Sequence, residues 1–123
     1  MSERLLTRVA IFVVVYNDKG ETLLQRRSGT GFLNGYYDNI SGHLEPGETI
    51  QECGVREAKE EAGIDIAIED LKLIHVNQNN IDIPYINFTF ACSKWSGNPT
   101  IGEPGKIDDM GFYPTGNLPD KCT

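Results

Sequence analysis

The sequence predicts an α+β domain, a mixed β-sheet with one helix laid on a face. Three observations lead there. Short apolar runs rich in Val, Ile and Phe recur along the chain and have strand character. A single segment near 49–62 places small and apolar residues at helical spacing. No second long amphipathic segment follows it. With 123 residues, 39% hydrophobic and 24% charged, the chain suits one soluble globular domain spanning 1–123.

Strands are expected at about 7–16 and 21–27. "NDKG" joins them, and its Asn17, Asp18 and Gly20 are turn formers, so a hairpin is expected. The stretch 28–39 is a glycine-rich loop with aromatics, and 40–48 is turn-rich and extended only at its start. The helix begins near Glu48 or Thr49 and stops at Gly63, a C-terminal glycine. Ile50, Gly54, Ala58 and Ala62 recur at i+4 and form a small-residue stripe suited to close packing on a sheet. Beyond it, 64–68 alternates, 71–76 and 86–95 read as strands, 96–99 as a turn and 110–114 as a last short strand.

The net charge of -7 makes the chain a poor general binder of nucleic-acid polymers. An anionic small molecule is still acceptable where a metal cation bridges the two. No run reaches the length of a membrane span, and no signal-peptide pattern opens the chain. Cys53, Cys92 and Cys122 are far apart and odd in number. They match neither a disulfide framework nor a metal spacing, so a reducing cytoplasm is expected.

The helix carries a conflict. Glu57, Glu60 and Glu61 are spaced i, i+3 and i+4 and crowd one side. Like charges at that spacing cost about 0.2–0.5 kcal/mol per pair. On a helical wheel they border the apolar stripe, whereas Glu52 and Lys59 lie opposite it. Carboxylates at a core edge repel each other and resist desolvation. A divalent cation relieves both costs, and oxygen ligands suit Mg2+ or Mn2+. The rival reading is an ordinary solvated Glu-rich face.

The flanking residues favour the metal. "SGHLEPGETIQECGVREAKEEAGI" (41–64) sets Gly42, Glu48, Arg56, Glu57, Glu60, Glu61 and Gly63 in one frame. It resembles the signature of the Nudix hydrolases, G-x5-E-x7-R-E-U-x-E-E-x-G-U with U aliphatic, and meets every specified position, Ala58 being a small first U. The resemblance implies a mixed sheet with the catalytic loop-helix-loop packed on it. It implies an α/β/α sandwich, here expected to lack the usual C-terminal helix because only four residues follow Leu118-Pro119. "ISG" also stands where many relatives have Pro-Gly-Gly.

By the resemblance, Glu57, Glu60 and Glu61 are catalytic and metal-binding, one of them taking the proton of the attacking water. The Gly42 carbonyl is a further metal ligand, and Glu48 and Arg56 brace the loop on the helix. Arg26 and Arg27 are weaker candidates for phosphate, alternation directing only one of them to a cleft. Phe32, Tyr36 and Tyr37 are candidates for stacking a base, against core or lid packing. Glu103, Asp108 and Asp109 lie in an expected late loop that supplies an extra carboxylate in relatives. His43 and His75 make no zinc site. The implied reaction is hydrolysis of a phosphoanhydride in a nucleoside diphosphate linked to another group. A nucleoside triphosphate is the favoured substrate, with ADP-ribose or a dinucleoside polyphosphate as alternatives. A nucleotide-binding module without turnover is the rival class, and a homodimer follows by family analogy only.

Overall fold

The computed structural model describes residues 3–122 apart from 30, 32 and 81. Its strands are β1 (Arg8–Val15), β2 (Thr22–Arg27), β3 (Tyr37–Asp38), β4 (Ile40–His43), β5 (Lys72–Asn79), β6 (Tyr85–Cys92) and β7 (Ile107–Tyr113). One α-helix, α1 (Ile50–Ala62), follows β4, and a 3₁₀ turn occupies Ile68–Asp70. No second α-helix is present among the described residues. The α+β expectation therefore holds.

The strands divide into two sheets. The larger has the order β4-β1-β6-β5. It is mixed, because β1 runs parallel to β6 and antiparallel to β4. The smaller, β3-β2-β7, is antiparallel. This division alters the expected hairpin. Asn17 and Gly20 do form the turn, with Asn17 Oδ1 accepting from the amides of Lys19 and Glu21. Only a Tyr16–Thr22 bridge then joins the two strands. The end of β1 is held elsewhere: Tyr16 donates its amide to the Cys92 carbonyl, and Trp95 Nε1 donates to the Tyr16 carbonyl. The turn is thus a corner between sheets.

Two other segments differ from expectation. The 64–68 stretch forms no strand; Asp65 bridges Ser96 while Ile64 and Ile66 point into the core. The last strand begins at Ile107, so Asp108 and Asp109 lie in β7 and not in a loop.

α1 starts where its sequence caps it. Thr49 Oγ1 accepts from the Glu52 amide, and Glu52 returns a bond to the Thr49 amide, a full capping box. Its small-residue stripe allows contact with the larger sheet. A Cβ built on Gly54 would touch side chains of Val13 and Leu71 at 3.4 Å. Ile11, Val13, Phe90, Ala58 and Ala62 are buried together there. At the other end Gly63 turns left-handed at φ 69° and its amide bonds the Lys59 carbonyl. The final carbonyls are closed by a distant loop. Thr100 N donates to Ala62 O and Gly102 N donates to Glu61 O, each at 2.9 Å.

Gly102 tolerates no side chain: a Cβ would lie 1.9 Å from the Glu60 carbonyl oxygen. Gly102→Ala is expected to destabilise the protein by about 2 kcal/mol or more, read as a lower urea midpoint. An unchanged midpoint would show that the loop does not close this helix end.

Candidate active site

The site forms where the buried side of α1 meets β4. Glu57 and Glu61 sit one turn apart on that side and are both buried, 9% and 5% exposed. Their carboxyl groups hydrogen-bond each other. Gln25 Nε2, from β2, donates to Glu61 Oε1, and the Ser41 backbone amide donates to the same carboxyl group. β4 passes directly over Glu57. A Cβ built on Gly42 would lie 2.1 Å from Glu57 Cδ, so the absent side chain is what gives the carboxylate its space.

Glu60 is placed differently. Its carboxylate is half exposed and pairs at 3.3 Å with Arg56 Nη1, the same nitrogen that bonds Glu57. Among the described residues, no three His, Cys, Asp or Glu side chains gather as a ready metal cage. What the site offers is a buried carboxylate pair beside a strand backbone. Such a donor set fits a hard divalent cation, which would remove both the repulsion and the need for a shared proton.

Arg56 organises the loop side. It bonds both Glu48 oxygens, at 3.1 and 2.8 Å, and the His43 carbonyl at 3.0 Å. It also bonds Glu57 Oε1 at 2.6 Å and lies 3.5 Å from Glu45. One guanidinium thus ties the 43–48 loop to the helix and touches the carboxylate pair. The Arg56 hydrogen bonds hold Glu48 down to about 2. Glu61 is pushed the other way, up to about 9, first by burial and then by its bond to Glu57. Cys53, beneath this network, is raised to about 12 by burial and by Glu48.

The remaining candidates form a second cluster. In β2, Gln25 points to Glu61 and Arg26 to the opposite face. There Arg26 pairs with Asp108 at 2.6 Å and lies 5.7 Å from the Tyr37 ring centre. Tyr37 is buried, donates its hydroxyl to Asp109 and packs edge-on against Tyr113 at 5.5 Å. It is therefore packed and not presented to a base. Arg27 sits beyond a bulge at the strand end, and Tyr36 is half-buried in the preceding turn. Glu103 pairs with Lys106 at 3.8 Å in the loop before β7. Phe32 lies outside the described residues. Sequence reasoning missed Gln25. Its signal was a polar residue in "TLLQRR", on the face that alternation turns inward.

Fold and site together define a two-sheet α+β domain built around a carboxylate helix. The NUDIX domain profile matches residues 6–121, and the chain belongs to that family, whose members act on pyrophosphate bonds. Relatives named NAD-capped RNA hydrolase NudC are similar. The one from Stutzerimonas stutzeri is 28% identical over 91% of this chain, and the one from Pseudomonas entomophila 29% over the same share. The chain spans about 39% of the length of these relatives. Among solved structures, a MutT NUDIX hydrolase from Burkholderia pseudomallei superposes with a TM-score of 0.86 at 22% identity. That match covers 97% of this chain and 92% of the other. A NUDIX hydrolase from Nitrosomonas europaea gives 0.73 at 24% identity, covering 88% and 72%.

Two opposite pH effects follow. Glu61 has a folded value near 9 against an ordinary 4.5. Its contribution is therefore complete below about 4.5 and is lost as pH rises towards 9. In EDTA, Glu61→Gln should raise the melting temperature, and by several degrees more at pH 8 than at pH 5. An equal change at both pH values would contradict the assignment. Glu48 is depressed to about 2, so its stabilisation is present above about 4.5 and fades as pH falls towards 2. Glu48→Gln should cost about 2 kcal/mol at pH 7 and flatten the acid limb of the stability curve, measured by urea titration.

Proposed function

We propose that this chain, as a single Nudix domain over 1–123, hydrolyses a phosphoanhydride bond in a nucleoside diphosphate linked to a second group. The observation that carries the reading is the buried Glu57–Glu61 pair held against the side-chain-free strand at Gly42. A divalent ion, Mg2+ or Mn2+, would be held by Glu57, Glu61 and the Gly42 carbonyl, with Glu60 brought in from the exposed side. When bound, it supplies positive charge against the diphosphate.

The chain's own residues supply the rest. Gln25 and the Ser41 amide fix the Glu61 carboxyl group, and Arg56 fixes Glu57. Glu48, through Arg56, keeps the 43–48 loop and hence Gly42 in position. One of Glu57, Glu60 and Glu61 accepts the proton of the attacking water. Membership of the NUDIX family supports this reading. The full set of box carboxylates weighs against a silent binding module.

The NudC relatives are named for action on NAD-capped RNA. A net charge of -7 favours a small nucleotide over a polymer for this chain. Three free cysteines suit a reducing cytoplasm.

With MgCl2 and a panel of nucleoside triphosphates, ADP-ribose and dinucleoside polyphosphates, at least one should be cleaved at its phosphoanhydride. Glu57→Gln should lower kcat by about a hundredfold or more while the protein stays folded by circular dichroism. Full activity in both Glu57→Gln and Glu61→Gln would remove the carboxylate pair from the reaction.

A further inference from the structure

The smaller sheet turns one buried polar side chain towards the carboxylate pair. β2 is its central strand, between β3 and β7, and alternation puts Leu23 and Gln25 on the same face. Leu23 is 2% exposed and Gln25 6%, so Gln25 stands in a row that otherwise gives the core aliphatic carbon. A buried carboxamide needs partners at both its nitrogen and its oxygen. Gln25 has them at one end. Nε2 donates to Glu61 Oε1, while Gln25 Oε1 is shielded from solvent and meets no donor among the described residues.

Two other buried oxygens share that condition, Thr22 Oγ1 and Asn39 Oδ1. Of the three side chains, that of Gln25 is the one bonded to a carboxyl group of the site. An unmet buried acceptor costs about 1–3 kcal/mol. The bond to Glu61 accounts for the nitrogen of Gln25 and leaves its oxygen without a role. The matching donor is small and able to donate twice, which describes a water molecule. Oxygen and nitrogen of one carboxamide share a carbon. A water donating to Gln25 Oε1 therefore sits beside the carboxyl group that Nε2 holds.

Resting on the hydrolase reading above, we infer that Gln25 seats the attacking water. Its Oε1 accepts one O–H of that water and so aims the oxygen, and the carboxylate pair accepts the other O–H. In the reaction the water oxygen bonds one phosphorus of the diphosphate. The bridging P–O bond breaks, and its electron pair leaves with the departing phosphate. The proton facing the carboxylates passes to them, and the hydrogen facing Gln25 stays on the incoming oxygen. A side-chain amide orients a nucleophile in this way without itself changing charge. A central strand suits the task, because rigid elements hold a site more closely than loops.

A crystal structure of the wild-type protein in MgCl2 should show an ordered water within hydrogen-bond distance of Gln25 Oε1. A dry oxygen there, or one met by a protein donor, overturns the inference. Gln25→Met keeps the shape of the side chain and removes the acceptor. With nucleoside triphosphates and ADP-ribose as substrates, it should lower kcat by about tenfold to a hundredfold and leave KM within about twofold. Mn2+ affinity, read by electron paramagnetic resonance, should stay unchanged, because the Ser41 amide still holds Glu61. A wild-type kcat in Gln25→Met overturns the inference. So does a loss of kcat matched by weaker Mn2+ binding, since Gln25 would then act only through Glu61. If Gln25→Met does not fold, Gln25→Leu is read in the same way. Cleavage of no compound by the wild type overturns the hydrolysis itself and the inference with it, a result distinct from a fully active Gln25→Met.

Discussion

Everything around α1 answers to the placing of two carboxylates, Glu57 and Glu61, in one buried spot. Burial and mutual repulsion both oppose their charge. The surroundings offset this in pieces. Arg56 reaches Glu57, while Gln25 and a backbone amide reach Glu61. Gly42 leaves the space in which the pair sits. The compensating groups come from α1 itself, from β2 and from β4, so the pair also acts as a common anchor for the helix and both sheets.

The separation of the strands into two sheets serves the same end. β4 contributes Gly42 and Ser41 from the larger sheet, and β2 contributes Gln25 from the smaller. A hairpin between β1 and β2 would have held both in one sheet. The corner at Asn17–Gly20, tied down through Tyr16, Cys92 and Trp95, directs β2 across the helix instead. Arg56 is the matching device on the loop side, where it is shared among Glu45, Glu48, Glu57 and Glu60.

Local signals were readable in the residues. The capping box at Thr49, the stop at Gly63 and the small stripe of α1 need only neighbours in sequence, and the helix occupies the expected range. The Nudix frame set Glu48 and Arg56 at fixed spacing, and the two form an ion pair at 2.8 Å. What was illegible depends on partners far along the chain. Gln25 meets Glu61 across 36 residues; strand alternation turns Gln25 inward but does not name its partner. Asp108 and Asp109 looked like loop acids because "KIDDM" lacks strand character, yet both lie in β7, where Asp109 pairs with Arg26 of β2 and Asp108 sits at a bulge. The spacing of Glu57, Glu60 and Glu61 puts them on one side of the helix but does not grade their burial: Glu57 and Glu61 are buried, and half-exposed Glu60 meets them through the Arg56 Nη1 it shares with Glu57. Side-chain direction at a helix edge is decided by what packs there.

The closure of α1 by Thr100 and Gly102 has a consequence for the time course of folding. A nascent chain emerges from its N-terminus, so the helix can form long before the loop that seals it exists. Until residue 102 has been made, the carbonyls of Glu61 and Ala62 have only water to bond. The turn that carries Glu61 is therefore completed by a long-range contact, the slow kind to form. The first turns of the helix need only local contacts, and the turn that carries Glu61 waits on the loop at 100–102.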